Sequence, residues 1–251
     1  MKKTTIAILS TLLLSSCVSI PTHHEEHKAH WGYRGEYSPS HWGDLKAEYK
    51  MCSLGKQQSP INITNAKDTK LKAISFHYTT TPKNIVNNGH TVQVNVNEGS
   101  YILIGGKEYA LKQFHFHTPS ENHINGKSFP LEAHFVHASM DGELAVISVL
   151  FEKGKANKTI QALWNNMPMN SGDENELKNI AKNIMDLIPT KNEFYKFNGS
   201  LTTPPCSEGV KWMVLSKKLT VSNEQVEKFS KAVHGTNNRP IQATNKRLIE
   251  R

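Results

Sequence analysis

Gln113-Phe114-His115-Phe116-His117 and Leu131-Glu132-Ala133-His134-Phe135-Val136-His137 are the two stretches from which the fold of this chain is read. In a strand, residues i and i+2 project from one face about 6.6 Å apart, whereas on a helix they point to nearly opposite sides. His115 and His117 can therefore reach one ion only from a strand. Phe114 and Phe116 alternate with Gln113, His115 and His117, which is the pattern of a strand with one packed face. In the second stretch the same alternation puts Glu132, His134 and Val136 on one face, so His134 needs only an antiparallel neighbour to join the pair. Three nitrogen ligands leave the fourth tetrahedral position open for water, the arrangement of a catalytic zinc rather than a structural one. Gln113 and Glu132 each stand two residues before a histidine on its own face, where they can take the ring's other N–H. The competing reading is a sheet that carries some of the chain's 13 histidines by chance.

Outward from these stretches, short alternating segments at Thr91 to Val96, Tyr101 to Ile104, Leu111 to His117, Leu131 to His137 and Ala145 to Phe151 predict strands separated by Gly, Asn and Pro turns. Two capping-box signatures predict helices, Ser222 with Gln225 and Ser171 with Glu174. The second opens a run holding Leu177, Ile180, Ala181, Ile184 and Ile188. The expectation is one mainly β domain with short peripheral helices, an α+β arrangement over residues 31–251. The 251 residues suffice for a large single core, and no internal repeat or long linker divides it. The formal charge of +8 comes from lysines spread along the chain without interleaved stacking aromatics, which speaks against a nucleic-acid partner.

The first 16 residues have the layout of an export signal, with Lys2 and Lys3, an apolar run from Ile6 to Leu14, and small residues after it. The run is too short for a permanent span. Leu14-Ser15-Ser16-Cys17 resembles the lipobox of bacterial lipoproteins, where the cysteine is lipidated and becomes the first mature residue. A cleaved signal with a chance cysteine is the alternative. Residues 17–30 contain His23, His24, Glu25, Glu26, His27, Lys28 and His30 and suit a polar tether. The expected location is the periplasmic side of a bacterial envelope membrane, held by a lipid anchor.

Several segments together resemble the alpha class of carbonic anhydrases, over about Trp31 to Arg247. They are His30-Trp31-Gly32-Tyr33, Gln58-Ser59-Pro60-Ile61-Asn62-Ile63, Asn87-Asn88-Gly89-His90, the two histidine stretches, Gly199-Ser200-Leu201-Thr202-Thr203-Pro204-Pro205-Cys206, and Lys211-Trp212. The resemblance implies a large, twisted, mostly antiparallel central sheet and a zinc enzyme (a lyase) that interconverts carbon dioxide and bicarbonate by hydroxide attack. It implies roles for Thr202 as the gatekeeping hydroxyl, Glu121 as its buried carboxylate partner and His90 as the proton shuttle. Alone, Glu121 reads as a surface loop acid and His90 as an exposed turn residue. Val136, Val146, Leu201 and Trp212 match the apolar wall for carbon dioxide, although core packing explains such residues equally well. Thr203 matches a substrate-side position, and Tyr33, Asn88 and Gln93 match positions that order water. Asn245 matches the residue whose backbone carbonyl supports a zinc histidine. Thr118-Pro119 and Asn122 depart from the animal form of the family and resemble bacterial members. Beyond Cys17 the chain holds Cys52 and Cys206, which read either as buried free thiols or as a pair. Exported members of the family imply the disulfide. Members occur as monomers and as homodimers, and both states stay open. A non-catalytic relative that keeps the fold and a zinc-handling protein that uses the histidine-rich tether are the competing functions.

Overall fold

The computed structural model describes residues 31–177, 184–191 and 193–251. The export signal, Cys17 and the tether lie outside the described residues. The strands are β1 Asn62–Ile63, β2 Ser75–His77, β3 Pro82–Asn87, β4 Val92–Val96, β5 Tyr101–Ile104, β6 Lys107–His117, β7 His123–Ile124, β8 Leu131–Ala138, β9 Leu144–Lys153, β10 Glu174–Glu176, β11 Phe194–Ser200, β12 Glu208–Leu215 and β13 Leu219–Val221. The α-helices are α1 Trp42–Leu45, α2 Met51–Leu54, α3 Lys158–Trp164 and α4 Asn223–Ala232.

An 11-stranded sheet runs in the order β10-β3-β4-β6-β8-β9-β12-β11, with β5 and β2 continuing beside β6 and β13 pairing β9. Most neighbours are antiparallel, while β12 and β13 run parallel to β9. The strand expectations hold to within a few residues at their ends. Between β5 and β6 the turn is Gly105-Gly106 with φ of 61° and 88°, which a two-residue hairpin turn demands and glycine adopts without a steric penalty.

At the centre of the sheet both faces are covered. Phe114, Phe116, Phe135 and Ile147 join the larger core with Trp164 of α3 and Phe229 of α4. Their neighbours of opposite parity, Val146, Leu150 and Trp212, join a second cluster with Ile61 and Phe197. That is why β9 reads as an unbroken apolar run rather than an alternating one.

Among the described residues, no helix starts at Ser171. Glu174–Glu176 is instead a strand on β3, with Glu174 opposite Val86 and its carboxylate accepting from Asn84 Nδ2 at 2.5 Å. A capping box stabilises only a local turn. Here the backbone is taken by the ladder that satisfies the outer edge of β3. Leu177 and Ile188 still enter the core, Ile184–Leu187 forms one 3₁₀ turn, and Ile180 and Ala181 lie outside the described residues. The helix expected from Ser222 is α4, with both hydrogen bonds of its capping box present. Helix α3, for which no expectation existed, starts at Asn157, whose side chain accepts from the N–H groups of Thr159 and Ile160.

Candidate metal centre

Strand pairing places His115 directly opposite His134, and His117 opposite Glu132. One potential ligand nitrogen from each of His115, His117 and His134 lies within 4.8 Å of the other two. The partner of each ring's other nitrogen identifies which nitrogen faces the centre. His117 Nδ1 is 2.7 Å from the Asn237 carbonyl, which can only accept, so Nδ1 carries the proton and Nε2 keeps its lone pair. His134 Nε2 donates to Glu132 Oε1 at 2.9 Å, leaving Nδ1. His115 Nδ1 donates to Gln113 Oε1 at 2.8 Å, leaving Nε2.

Burial, and then the nearby rings of His117 and His134, hold His115 well below the usual histidine range. His117 is lowered by burial as well, against the opposing pull of the Asn237 carbonyl. Neutral rings with free lone pairs are what a divalent cation needs. The His117 nitrogen Nε2 and the adjacent Glu121 oxygen Oε2 are both buried with no hydrogen-bond partner among the described residues. Leaving such atoms unpaired is costly. The donor set and this orphaned nitrogen fit a zinc ion, which favours imidazole nitrogen.

Glu132 is fully buried and ionised. Burial acts to raise its carboxyl, but the electrostatic pull of the adjacent His134 ring and the hydrogen bonds from His134, Asn122 and Ser148 outweigh it and hold the group at about 2. Its Oε1 accepts from His134, from Asn122 Nδ2 at 2.8 Å and from Ser148 Oγ at 2.6 Å. Its Oε2 accepts from the N–H groups of Glu121 at 2.7 Å and Asn122 at 2.8 Å. One carboxylate thus orients a histidine and pins the loop that carries Glu121.

Glu121 Oε2 stands 3.6 Å from His117 Nε2 and 3.9 Å from His134 Nδ1, and Oε1 accepts from the Arg239 N–H at 2.7 Å. Burial pushes the Glu121 carboxyl up to about 7, against the lowering effect of His134, the Arg239 N–H and the Thr202 hydroxyl. Thr202 is itself buried, so this hydroxyl and carboxylate meet out of reach of bulk water.

Val146 and Trp212 lie in one apolar cluster with Val136 and Leu201 packed against it, and the Trp212 ring meets His134 edge-on at 4.9 Å. Gln93 is the strand partner of His115, and its Nε2 donates to Asn95 Oδ1 at 2.7 Å. The Tyr33 hydroxyl is buried without a hydrogen-bond partner among the described residues, and burial followed by the Glu121 charge raises it well above the usual range. Asn88 commits its side-chain oxygen to the N–H groups of His90 and Thr91 and so shapes the turn. The His90 ring stacks on Trp31 at 3.7 Å, at the edge of a cleft of about 210 Å³ lined also by Tyr33, Arg34 and His234. The Thr203 carbonyl accepts from Cys206 N–H at 2.9 Å, and Cys206 is bonded to Cys52.

Asn245 does not support a histidine. Its side chain donates to the Lys56 carbonyl at an exposed site, and the carbonyl on His117 belongs to Asn237. Asn237 also accepts from Thr118 N–H and donates to the carbonyls of Phe116 and His90. Asn237 and Arg239 were missed because they lie more than 100 residues from the histidines, in a segment without regular structure whose role depends on where its backbone passes. His137 points away from the centre into the core, where Tyr78 donates to its Nε2 at 2.7 Å and burial holds it at about 3.

A family model described as eukaryotic-type carbonic anhydrase matches residues 37–251. A carbonic anhydrase of Neisseria gonorrhoeae is 45% identical over 247 residues, covering 98% of this chain and 97% of its own length. The solved carbonic anhydrase of Thermovibrio ammonificans, in complex with the inhibitor sulfanilamide, superimposes with a TM-score of 0.87 at 45% identity, covering 89% of this chain and 99% of its own. A hyperthermostable carbonic anhydrase identified from a hydrothermal vent chimney does so with a TM-score of 0.86 at 50% identity, covering 88% and 99%. With the histidine centre and the sheet that carries it, these matches show that the chain belongs to the eukaryotic-type, or alpha, carbonic anhydrase family.

Proposed function

We propose that the protein catalyses the reversible hydration of carbon dioxide to bicarbonate at a zinc ion held by His115, His117 and His134. The observation that carries this reading is the convergence of one nitrogen from each of the three imidazoles to within 4.8 Å of the others, with those of His117 and His134 at 3.6 Å and 3.9 Å from the buried Glu121 carboxylate. Zinc bound there would supply Lewis acidity, lowering the pKa of water from far above neutral to roughly 7, the general behaviour of zinc in carbonic anhydrases.

The residues around the centre do the remaining work. Gln113, Asn237 and Glu132 fix the ring orientations and tautomers of the ligands. Glu121 takes the Thr202 hydroxyl proton in hydrogen bonding, so the Thr202 oxygen is left to accept and to orient the attacking oxygen's lone pair. Val136, Val146, Leu201 and Trp212 give carbon dioxide an apolar wall and keep competing water from it. Thr203, Gln93 and Tyr33 form the polar side, with Asn88 holding the turn that presents His90. His90 receives the proton released in each turnover and passes it to buffer, because an imidazole changes charge near neutral pH and this ring stands at a cleft mouth on Trp31.

Stopped-flow hydration by the zinc-loaded protein, beside His134→Ala, tests the reading. Fast hydration abolished in the variant is expected; a folded, zinc-loaded protein no faster than the variant would refute it. The N-terminal 16 residues direct export, and Cys17 carries the lipid that tethers the domain to an envelope membrane through residues 18–30, a reading supported by Leu14-Ser15-Ser16-Cys17. Mass spectrometry of membrane-fraction protein is expected to find a lipidated N-terminal Cys17.

A further inference from the structure

Arg239 is 1% exposed, and its two terminal guanidinium nitrogens donate to neutral acceptors, while its buried Nε has no partner among the described residues. Nη2 donates to the Cys52 carbonyl at 2.8 Å, and Nη1 donates to the Ser59 carbonyl and to Gln58 Oε1, both at 2.8 Å. Gln58 in turn donates through Nε2 to the Cys206 carbonyl at 3.0 Å. One side chain therefore grips both ends of the Cys52–Cys206 disulfide, directly at Cys52 and through Gln58 at Cys206. The Trp42 ring lies 5.7 Å from the guanidinium carbon and closes its far side. The backbone N–H of the same residue donates to Glu121 Oε1.

Among the described residues no carboxylate lies within ion-pair distance of this guanidinium, so it does not serve as half of a buried salt bridge. Burying such a cation is costly, and well-packed apolar side chains commonly hold a core at least as well. What a guanidinium does that they cannot is bond several fixed acceptors in one plane and so fix the position of its own backbone. Here that backbone touches the carboxylate beside the metal ligands. Both cysteines are buried, so the disulfide is closed to reductants and acts as a strut rather than a switch.

Resting on the carbonic anhydrase reading, we propose that Arg239 is a positioning residue for the reaction, which carries the placement of the Cys52–Cys206 strut to Glu121 and, through it, to Thr202. The experiment compares the zinc-loaded wild type with Arg239→Lys, with Cys52→Ser/Cys206→Ser, and with all three changes combined, well below every melting midpoint. Each separate change is expected to lower kcat/KM for hydration roughly tenfold, and the combination roughly tenfold again only relative to wild type, because both act through one path. The buffer concentration giving half-maximal kcat should not move, since the His90 route is untouched.

A direct readout uses the Arg239 amide proton, whose downfield NMR shift reports the bond to Glu121. It should move upfield when the two cysteines are replaced. An unchanged amide shift, effects on kcat/KM that multiply, or a lowered melting temperature with wild-type kcat/KM would each overturn the proposal. If Arg239→Lys does not fold, Gln58→Ala takes its place in the same cycle, because it breaks the link between the guanidinium and Cys206, with Glu208→Gln as the control for the Gln58–Glu208 hydrogen bond lost alongside it. A wild type without hydration activity would instead remove the reading on which the proposal rests.

Discussion

Glu132 is the residue on which most of the centre's order converges, since it holds His134, the Asn122 amide and two loop N–H groups at once. Its replacement by Gln puts an NH₂ where one set of donors points, so His134 loses its fixed tautomer. Zinc affinity is expected to fall by about 10- to 100-fold, measured by competition with a chromophoric chelator. For His90→Ala the expected loss is in kcat at low buffer, on the order of a hundredfold, with rescue by imidazole and little change in kcat/KM. A rate that does not depend on buffer in either protein would remove His90 from the pathway. At this scale the ligands were legible because strand geometry makes i and i+2 neighbours, and Gln113 and Glu132 were legible for the same reason. The support for His117 was misassigned to Asn245, because any residue can supply a backbone carbonyl and only the chain path selects Asn237.

Elements fold on local rules only while no stronger pairing competes. Ser222 caps α4 with nothing opposing it, and Ser222→Ala should cost about 1 kcal/mol in urea denaturation. The equivalent pattern at Ser171 lost to the ladder on β3. Between β6, the turn joining β8 to β9, and β12, Lys107 bridges Asp141 at 2.8 Å and Glu143 at 2.7 Å, and Lys211 meets Glu143 at 2.8 Å. Hydrogen bonds from Lys107 hold both carboxyls down at about 2, with Lys211 and Tyr109 adding to the effect at Glu143. Because these folded-state values lie below the ordinary ones, the contribution is full at neutral pH and is lost as pH falls from about 4.5 toward 2. In low salt, the stability gap between wild type and Glu143→Gln should close across that window; in high salt it should be small throughout, as expected for exposed charges.

Across the whole molecule, the Cys52–Cys206 bond spans a sequence separation of 154 residues. Chain-entropy reasoning gives a loss of about 4 to 5 kcal/mol when it is removed, read as a lowered denaturation midpoint. Chelation of zinc should likewise lower the melting temperature, and added zinc should restore it in proportion to the logarithm of its free concentration. The sequence by itself determined the strands around the centre, the histidine triad and the family, because strand periodicity and short motifs are local and survive without knowledge of the fold. Only the tertiary structure decided that Asn237 and Arg239 complete the centre, that Glu174–Glu176 is a strand and not a helix, and that Asn245 stands apart. Those outcomes rest on groups brought together from distant parts of the chain, most of them backbone groups. A carbonyl or an N–H is the same in nearly every residue, so nothing in the local sequence distinguishes the one that will be used.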